Sequence, residues 1–141
     1  MKKLLLILLL ATSPALAEPC KIENVTDGDT LRLKERVHGL PLSIRLYGID
    51  TPEKGFRAKC KSEADAGEAA TLITEKLVKN AATIDCQFKD WDKYGSRILG
   101  EVYLDGKSLS ESLINARPLI NGKETQIARK YHGEKKWSWC E

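Results

Sequence analysis

The 141-residue chain lacks a strong charge of either sign. It carries 23 Lys+Arg against 20 Asp+Glu, a formal net charge of +3. That excess is too small to argue for a polyanionic partner, so any basic binding surface must come from local placement. No apolar run is long enough to span a bilayer. The run at 4–11 has eight residues, whereas a spanning helix needs about 20. There is no CxxC and no paired Cys/His spacing, which argues against a zinc site. There is no repeat, linker or low-complexity stretch. The two histidines, His38 and His132, lie in polar segments away from any nucleophile pattern and read as surface residues. These absences exclude a disordered tail, a collagen-like rod and a multi-span membrane protein. The composition, 42% hydrophobic and 30% charged, fits one soluble domain with one core.

What is present begins with a processing signal. Residues 1–17 read as a basic start at Lys2 and Lys3, the apolar run, and the small-x-small site Ala15-Leu16-Ala17. This is the layout of a secretory signal peptide, with an uncleaved anchor as the alternative. Glu18-Pro19 before Cys20 argues against a lipoprotein. The mature chain, 18–141, then has 124 residues and a net charge of +1. Its four cysteines, Cys20, Cys60, Cys86 and Cys140, form an even set in an exported chain. They suggest two disulfides, with three connectivities open.

Alternation predicts strands over 22–26, 31–33, 42–47, 83–89 and 98–104. The first two are joined at Asp27-Gly28-Asp29, and His38-Gly39-Leu40-Pro41 makes a second turn. Leu42, Ile44 and Leu46 share a face, as do Ile84, Cys86 and Phe88. Ser62 can cap a helix reaching about Asn80, with Ala69, Leu72, Ile73 and Leu77 on its apolar face. Ser108-Leu109-Ser110-Glu111 is a capping box that opens a helix ending before Pro118. The remainder, 119–141, has no clear period. The fold class read from this order is a β-barrel plus helices (α+β). It is a five-stranded OB-type Greek-key barrel with a helix between strands three and four and a C-terminal helix.

Two acidic turns carry the chemistry. Asp27-Gly28-Asp29-Thr30 joins strands one and two, and Asp50-Thr51-Pro52-Glu53 follows strand three. Taken singly, each reads as ordinary turn chemistry. If the strands are adjacent, three or four carboxylates converge, the oxygen-rich donor set that a hard cation such as calcium prefers. Arg45 lies in strand three, and Arg97 follows Asp92-Lys93-Tyr94-Gly95. Each offers a planar fork for a phosphate, or alternatively a surface ion pair.

Three separated motifs then occur in order: Val25-Thr26-Asp27-Gly28-Asp29-Thr30, Ile44-Arg45-Leu46-Tyr47-Gly48-Ile49-Asp50-Thr51-Pro52-Glu53, and Asp92-Lys93-Tyr94-Gly95 with a following arginine. Asp105-Gly106 precedes the second helix. Together they make the chain resemble the staphylococcal nuclease (thermonuclease-like) family from about Ile22 to Ala116. The resemblance implies an OB barrel and a calcium-dependent phosphodiester hydrolase. Such an enzyme acts on DNA and RNA with little sequence preference and leaves 3′-phosphate ends. It implies Asp29, Asp50 and the Thr51 carbonyl as calcium ligands, with Asp27 supporting them. It further implies Glu53 as base on the attacking water, and Arg45 and Arg97 on the phosphate. Lys93 and Tyr94 would hold a terminal phosphate or the nucleotide.

One departure stands out. Ser96 separates the Tyr-Gly pair from Arg97, where the family places arginine directly. A bulge would keep the side chain inward, and strict alternation would turn it out. The rival reading is therefore a non-catalytic OB module binding single-stranded nucleic acid or protein. A structural envelope protein is a third reading. In a barrel where strand four lies beside strand one, Cys20 and Cys86 can meet. Cys60 then pairs with Cys140 and pins the tail near the site. Trp137 and Trp139 read as packing residues of that tail. The basic residues between 123 and 136 could extend a nucleic-acid track. The expected protein is monomeric, has no stable membrane anchor, and is periplasmic or extracellular.

Overall fold

A computed structural model describes residues 16–93, 95, 97–133 and 138–140. Most of the expected signal peptide, together with Tyr94, Ser96 and Trp137, lies outside these residues. The chain builds an α+β structure in which one curled antiparallel-rich sheet packs against two helices. Its elements begin with β1 (Glu18–Pro19), β2 (Ile22–Asp27), β3 (Thr30–Val37), β4 (Leu40–Leu46) and β5 (Ile49–Asp50). They continue with α1 (Lys61–Asn80), β6 (Ile84–Trp91), β7 (Arg97–Leu104), β8 (Lys107–Ser108) and α2 (Leu109–Asn115). Last come β9 (Leu119–Ile120), β10 (Lys123–Glu124) and β11 (Arg129–Lys130). Among the described residues, no helix is long and apolar enough to cross a membrane.

The sheet runs β1-β6-β7-β4-β3-β2, with β8 on β7. The β4–β7 pair is parallel and the others are antiparallel. The two tight hairpins follow from turn chemistry. Asp27 opposes Thr30 across Gly28-Asp29. His38 and Gly39 both take positive φ, 51° and 77°, the demand of a two-residue turn matched to strand twist. Pro41, expected in that turn, instead lies inside β4 opposite Arg36.

One stretch near the N-terminus reaches both edges of the sheet. The Cys20 amide donates to the Ile84 carbonyl at 3.1 Å, and the Lys21 carbonyl accepts from the Lys34 amide at 2.9 Å. The Cys20–Cys86 disulfide covers the same seam. The neighbour of β6 there is Glu18–Pro19, ahead of the 22–26 run that the sequence marks as strand one. Capturing both edges removes rows of unpaired backbone groups that would otherwise invite edge pairing.

The core is Leu31, Leu33, Ile44, Leu46, Val102, Leu109 and Leu113, joined by Ile127 and Ala128 from the tail. The expected irregular tail is therefore corrected. Residues 119–130 form a hairpin turned at Asn121-Gly122, then a strand on β5. Local periodicity could not reveal it, because each strand is only two residues long.

The α1 reading is corrected in two respects. Its N-cap is Cys60, whose sulfur accepts from the Glu63 amide at 3.4 Å, and Ser62 lies inside the first turn. Its buried face is Ala66, Gly67, Ala70, Thr71 and Thr74, while Leu72 is 54% exposed. Ala69, Ile73 and Leu77 are only partly buried. Close backbone approach explains the rotation. A methyl group on Gly67 would sit 2.3 Å from the Glu53 carbonyl oxygen, and Thr74 Oγ1 donates to the Gly28 carbonyl at 2.8 Å. Small side chains seat the helix directly on the two acidic turns. Phe88 is also exposed, although the β6–β7 register stays regular from Ile84 to Phe88 and only shifts beyond it. In α2, Ser108 Oγ accepts from the Glu111 amide at 3.1 Å, as the capping box requires.

Candidate active site

The β3–β4 ladder places Thr30 opposite Arg45, so the Asp27–Thr30 turn overhangs the arginine. Arg45 Nη2 lies 3.2 Å from Asp29 Oδ2 and 3.5 Å from Asp50 Oδ1. Arg45 Nη1 donates to the Ile49 carbonyl at 3.3 Å. Thr30 Oγ1 donates to Asp29 Oδ1 at 3.0 Å, and the Asp29 carbonyl accepts from the Leu46 amide at 2.8 Å. Asp29, Asp50 and Thr51 are all buried. Two buried carboxylates thus flank one guanidinium, in a geometry fixed by backbone pairing.

A cleft of about 320 Å³ opens above this group. It is lined by Asp27, Asp29, Thr30, Arg45, Thr51, Pro52 and Glu53 on one side. Lys93, Arg97, Arg57 and Tyr131 complete it. Asp50 is not among the lining residues and supports Arg45 from beneath. The cleft therefore gathers Asp27, Asp29, Arg45, Thr51, Glu53, Lys93 and Arg97 from three separate sequence motifs. Arg97 reaches it in spite of Ser96. It starts β7 opposite Ser43 of β4, and its Nε donates to Asp92 Oδ2 at 2.7 Å. Asp92 is itself buried and accepts this bond across the β6–β7 turn.

Sequence reasoning missed four contributors. Arg57 ends a short 3₁₀ turn, Gly55–Arg57, in a segment that the sequence patterns assign to no strand or helix. Its Nη2 lies 2.6 Å from Asp27 Oδ1 and its Nε lies 3.5 Å from Glu53 Oε2. The hydrogen bond to Asp27 raises the Arg57 pKa above its ordinary value, which keeps a third guanidinium charged at the cleft. Its position four residues after Glu53 is the available signal. Buried Glu63 accepts from the Lys59 amide at 2.7 Å and from the Glu53 amide at 3.4 Å, so it ties both ends of the loop to α1. Asp92 orients Arg97, and Tyr131 arrives from the tail. Neither of these two roles leaves a local pattern.

Asp29, Asp50 and Thr51 present only oxygens, and Asp27 and Glu53 stand beside them. This all-oxygen set suits a hard divalent ion such as calcium and offers nothing to a thiophilic metal. The expected convergence of three or four carboxylates is not met: among the described residues, the three-residue group whose potential ligand atoms lie within 4.8 Å of one another is Cys60, Glu63 and Cys140. Its two sulfurs are bonded to each other, so they supply no thiolates. Both disulfides follow the pairing expected of a barrel, Cys20–Cys86 and Cys60–Cys140.

An open cleft of carboxylates and fixed arginines on a curled sheet is the layout of a phosphate-handling site. Comparison with known proteins agrees. Residues 43–117 match the family described as staphylococcal nuclease homologue. The chain belongs to this family. It is 34% identical over 96 residues to the SPbeta prophage-derived endonuclease YokF of Bacillus subtilis (strain 168), which covers 66% of this chain and 30% of that protein. It is 35% identical over 102 residues to endonuclease YncB of the same organism, covering 67% of this chain and 46% of that protein. The chain thus spans less than half the length of either relative.

Proposed function

We propose that the protein is an exported, calcium-dependent nuclease that hydrolyses phosphodiester bonds of DNA and RNA with little sequence preference. The observation that carries this reading is the convergence of Arg45, Arg57 and Arg97 with Asp29 and Glu53 on one open cleft. Relatives named as endonucleases support it. The sheet order, followed from β2 through β3, β4, β7 and β6 back to the N-terminal stretch, supports a five-stranded Greek-key barrel of the OB class. In this reading residues 1–17 direct export and 18–141 form one nuclease domain. The protein is then a monomer in the periplasm or outside the cell.

Asp29, Asp50 and Thr51 would hold calcium, with Asp27 supporting them. When bound, the ion supplies charge neutralisation at the phosphoryl oxygens. Glu53, which lines the cleft, takes a proton from the attacking water. Arg57, paired with both Asp27 and Glu53, restrains that carboxylate. Arg45 and Arg97 face the phosphate, where their forks match the charge that grows on the equatorial oxygens. Asp92 engages Arg97 through Nε, so its Nη groups meet the substrate. Water adds to phosphorus and the bond to the 5′-oxygen breaks. One product ends in a 3′-phosphate, and the departing 5′-oxygen takes up a proton. Lys93 and Tyr94 would hold a terminal phosphate or the nucleotide. All these groups address the backbone rather than base edges, which accounts for weak sequence preference and for tolerance of either sugar.

The test is incubation of the purified, oxidised protein with plasmid DNA and with RNA, in calcium and then in excess chelator. Cleavage of both, abolished by chelator and leaving 3′-phosphate ends, is the expected result. A folded protein with no metal-dependent cleavage would overturn the enzymatic reading in favour of a binding module.

A further inference from the structure

The strongest unassigned feature lies behind Asp50. Its two carboxylate oxygens meet different groups. Oδ1 faces Arg45 Nη2 at 3.5 Å, and Oδ2 accepts from the indole Nε1 of Trp139 at 3.4 Å. Asp50 is 2% exposed, so protein contacts, these two among them, rather than water fix the plane of the carboxylate. An indole N–H only donates, so Trp139 orients the group without offering an atom that competes for a cation.

Trp139 is itself held from several sides. The Arg129 guanidinium lies 4.3 Å from its ring centroid. Arg129 is also the backbone partner of Asp50 in the β5–β11 ladder, so the residue that stacks on the indole is paired with the residue the indole binds. Ser62 Oγ donates to the Trp139 carbonyl at 3.5 Å. The next residue, Cys140, is bonded to Cys60, the N-cap of α1. The Asp50–Cys60 stretch, which bears Thr51, Glu53 and Arg57, is therefore fastened to the tail at both ends.

We propose that Trp139 is a positioning residue that presets the Asp50 carboxylate for calcium, with the Cys60–Cys140 disulfide anchoring the indole against it. The inference rests on the calcium reading above. Partners that orient a metal-ligating side chain typically change affinity by about 10–100-fold when removed. A bond as long as this one places the effect near the lower end of that range.

Calorimetric titration of calcium chloride into the full oxidised chain tests it. Thermal melting without calcium is recorded for every variant. Trp139→Phe keeps an aromatic ring under Arg129 while removing the N–H together with part of the indole's area. It is expected to raise the calcium Kd about tenfold while its calcium-free melting temperature stays near that of the wild type. Cys60→Ser/Cys140→Ser, which retains a capping side chain at 60, is expected to raise the Kd in the same direction. Combining the two sets should give little further loss, because both act through one contact. An unchanged Kd in Trp139→Phe overturns the proposal, whatever the disulfide variant does. Fully multiplicative effects overturn the anchoring role of the disulfide. A folded wild type that binds no calcium overturns the calcium reading itself, a result distinct from a wild type and Trp139→Phe that bind equally.

Discussion

The acidic turns and the C-terminal tail reach the same site by different physics. Between residues 27 and 53, every functional side chain follows a local rule. A two-residue hairpin presents Asp29, strand alternation aims Arg45, and Pro52 stops the strand so that Glu53 leaves the sheet. The tail obeys no such rule. It nevertheless buries Ile127 and Ala128 completely, pairs Arg129 with Asp50, lends Tyr131 to the cleft and sets Trp139 against a buried carboxylate. The first region carries the chemistry on short-range geometry. The second supplies the surroundings that hold it, through contacts some 80 residues apart in sequence.

If the division is real, substitutions in the two regions should separate activity from stability. The largest effect is expected at Arg45→Ala. Removing a preorganised donor to developing charge should lower kcat on plasmid DNA by about 10³-fold, about 4 kcal/mol of barrier. Retention of more than a tenth of wild-type kcat would place the reaction elsewhere. Ile127→Ala is expected to cost about 3 kcal/mol of folding stability in urea unfolding, since it opens a cavity in the shared core. A loss below about 1 kcal/mol would mean that the tail only lies on the surface.

A smaller effect is expected where the regions are joined by α1. In Gly67→Ala the new methyl would press on the Glu53 carbonyl. Overpacking of about 3 kcal/mol, offset by about 1 kcal/mol of helix propensity, leaves a net loss of about 2 kcal/mol. Because the strain falls on the loop bearing Glu53, kcat should drop as well. A more stable and fully active Gly67→Ala would show that the helix does not seat the acidic turns.

Legibility in the sequence followed the range of each interaction. The hairpin at Gly28-Asp29, the turns at His38-Gly39 and Asp105-Gly106, and the Ser108 cap depend on neighbours within a few positions, and all were readable. Leu72 was misjudged for the complementary reason. Periodicity identifies an apolar stripe, but α1 turns its small residues inward because two backbones lie too close for anything larger. Arg57 was overlooked because its partner Asp27 lies 30 residues away.

The sequence by itself therefore determined the acidic turns, the arginine-bearing strand and an even set of cysteines, since turn and strand chemistry is local. Only the tertiary structure decided which face of α1 is buried and that Arg97 enters the cleft. It alone also brought Arg57, Tyr131 and Trp139 to the site. Those outcomes depend on distances between backbones that meet only after the sheet has curled and the tail has been fastened across it.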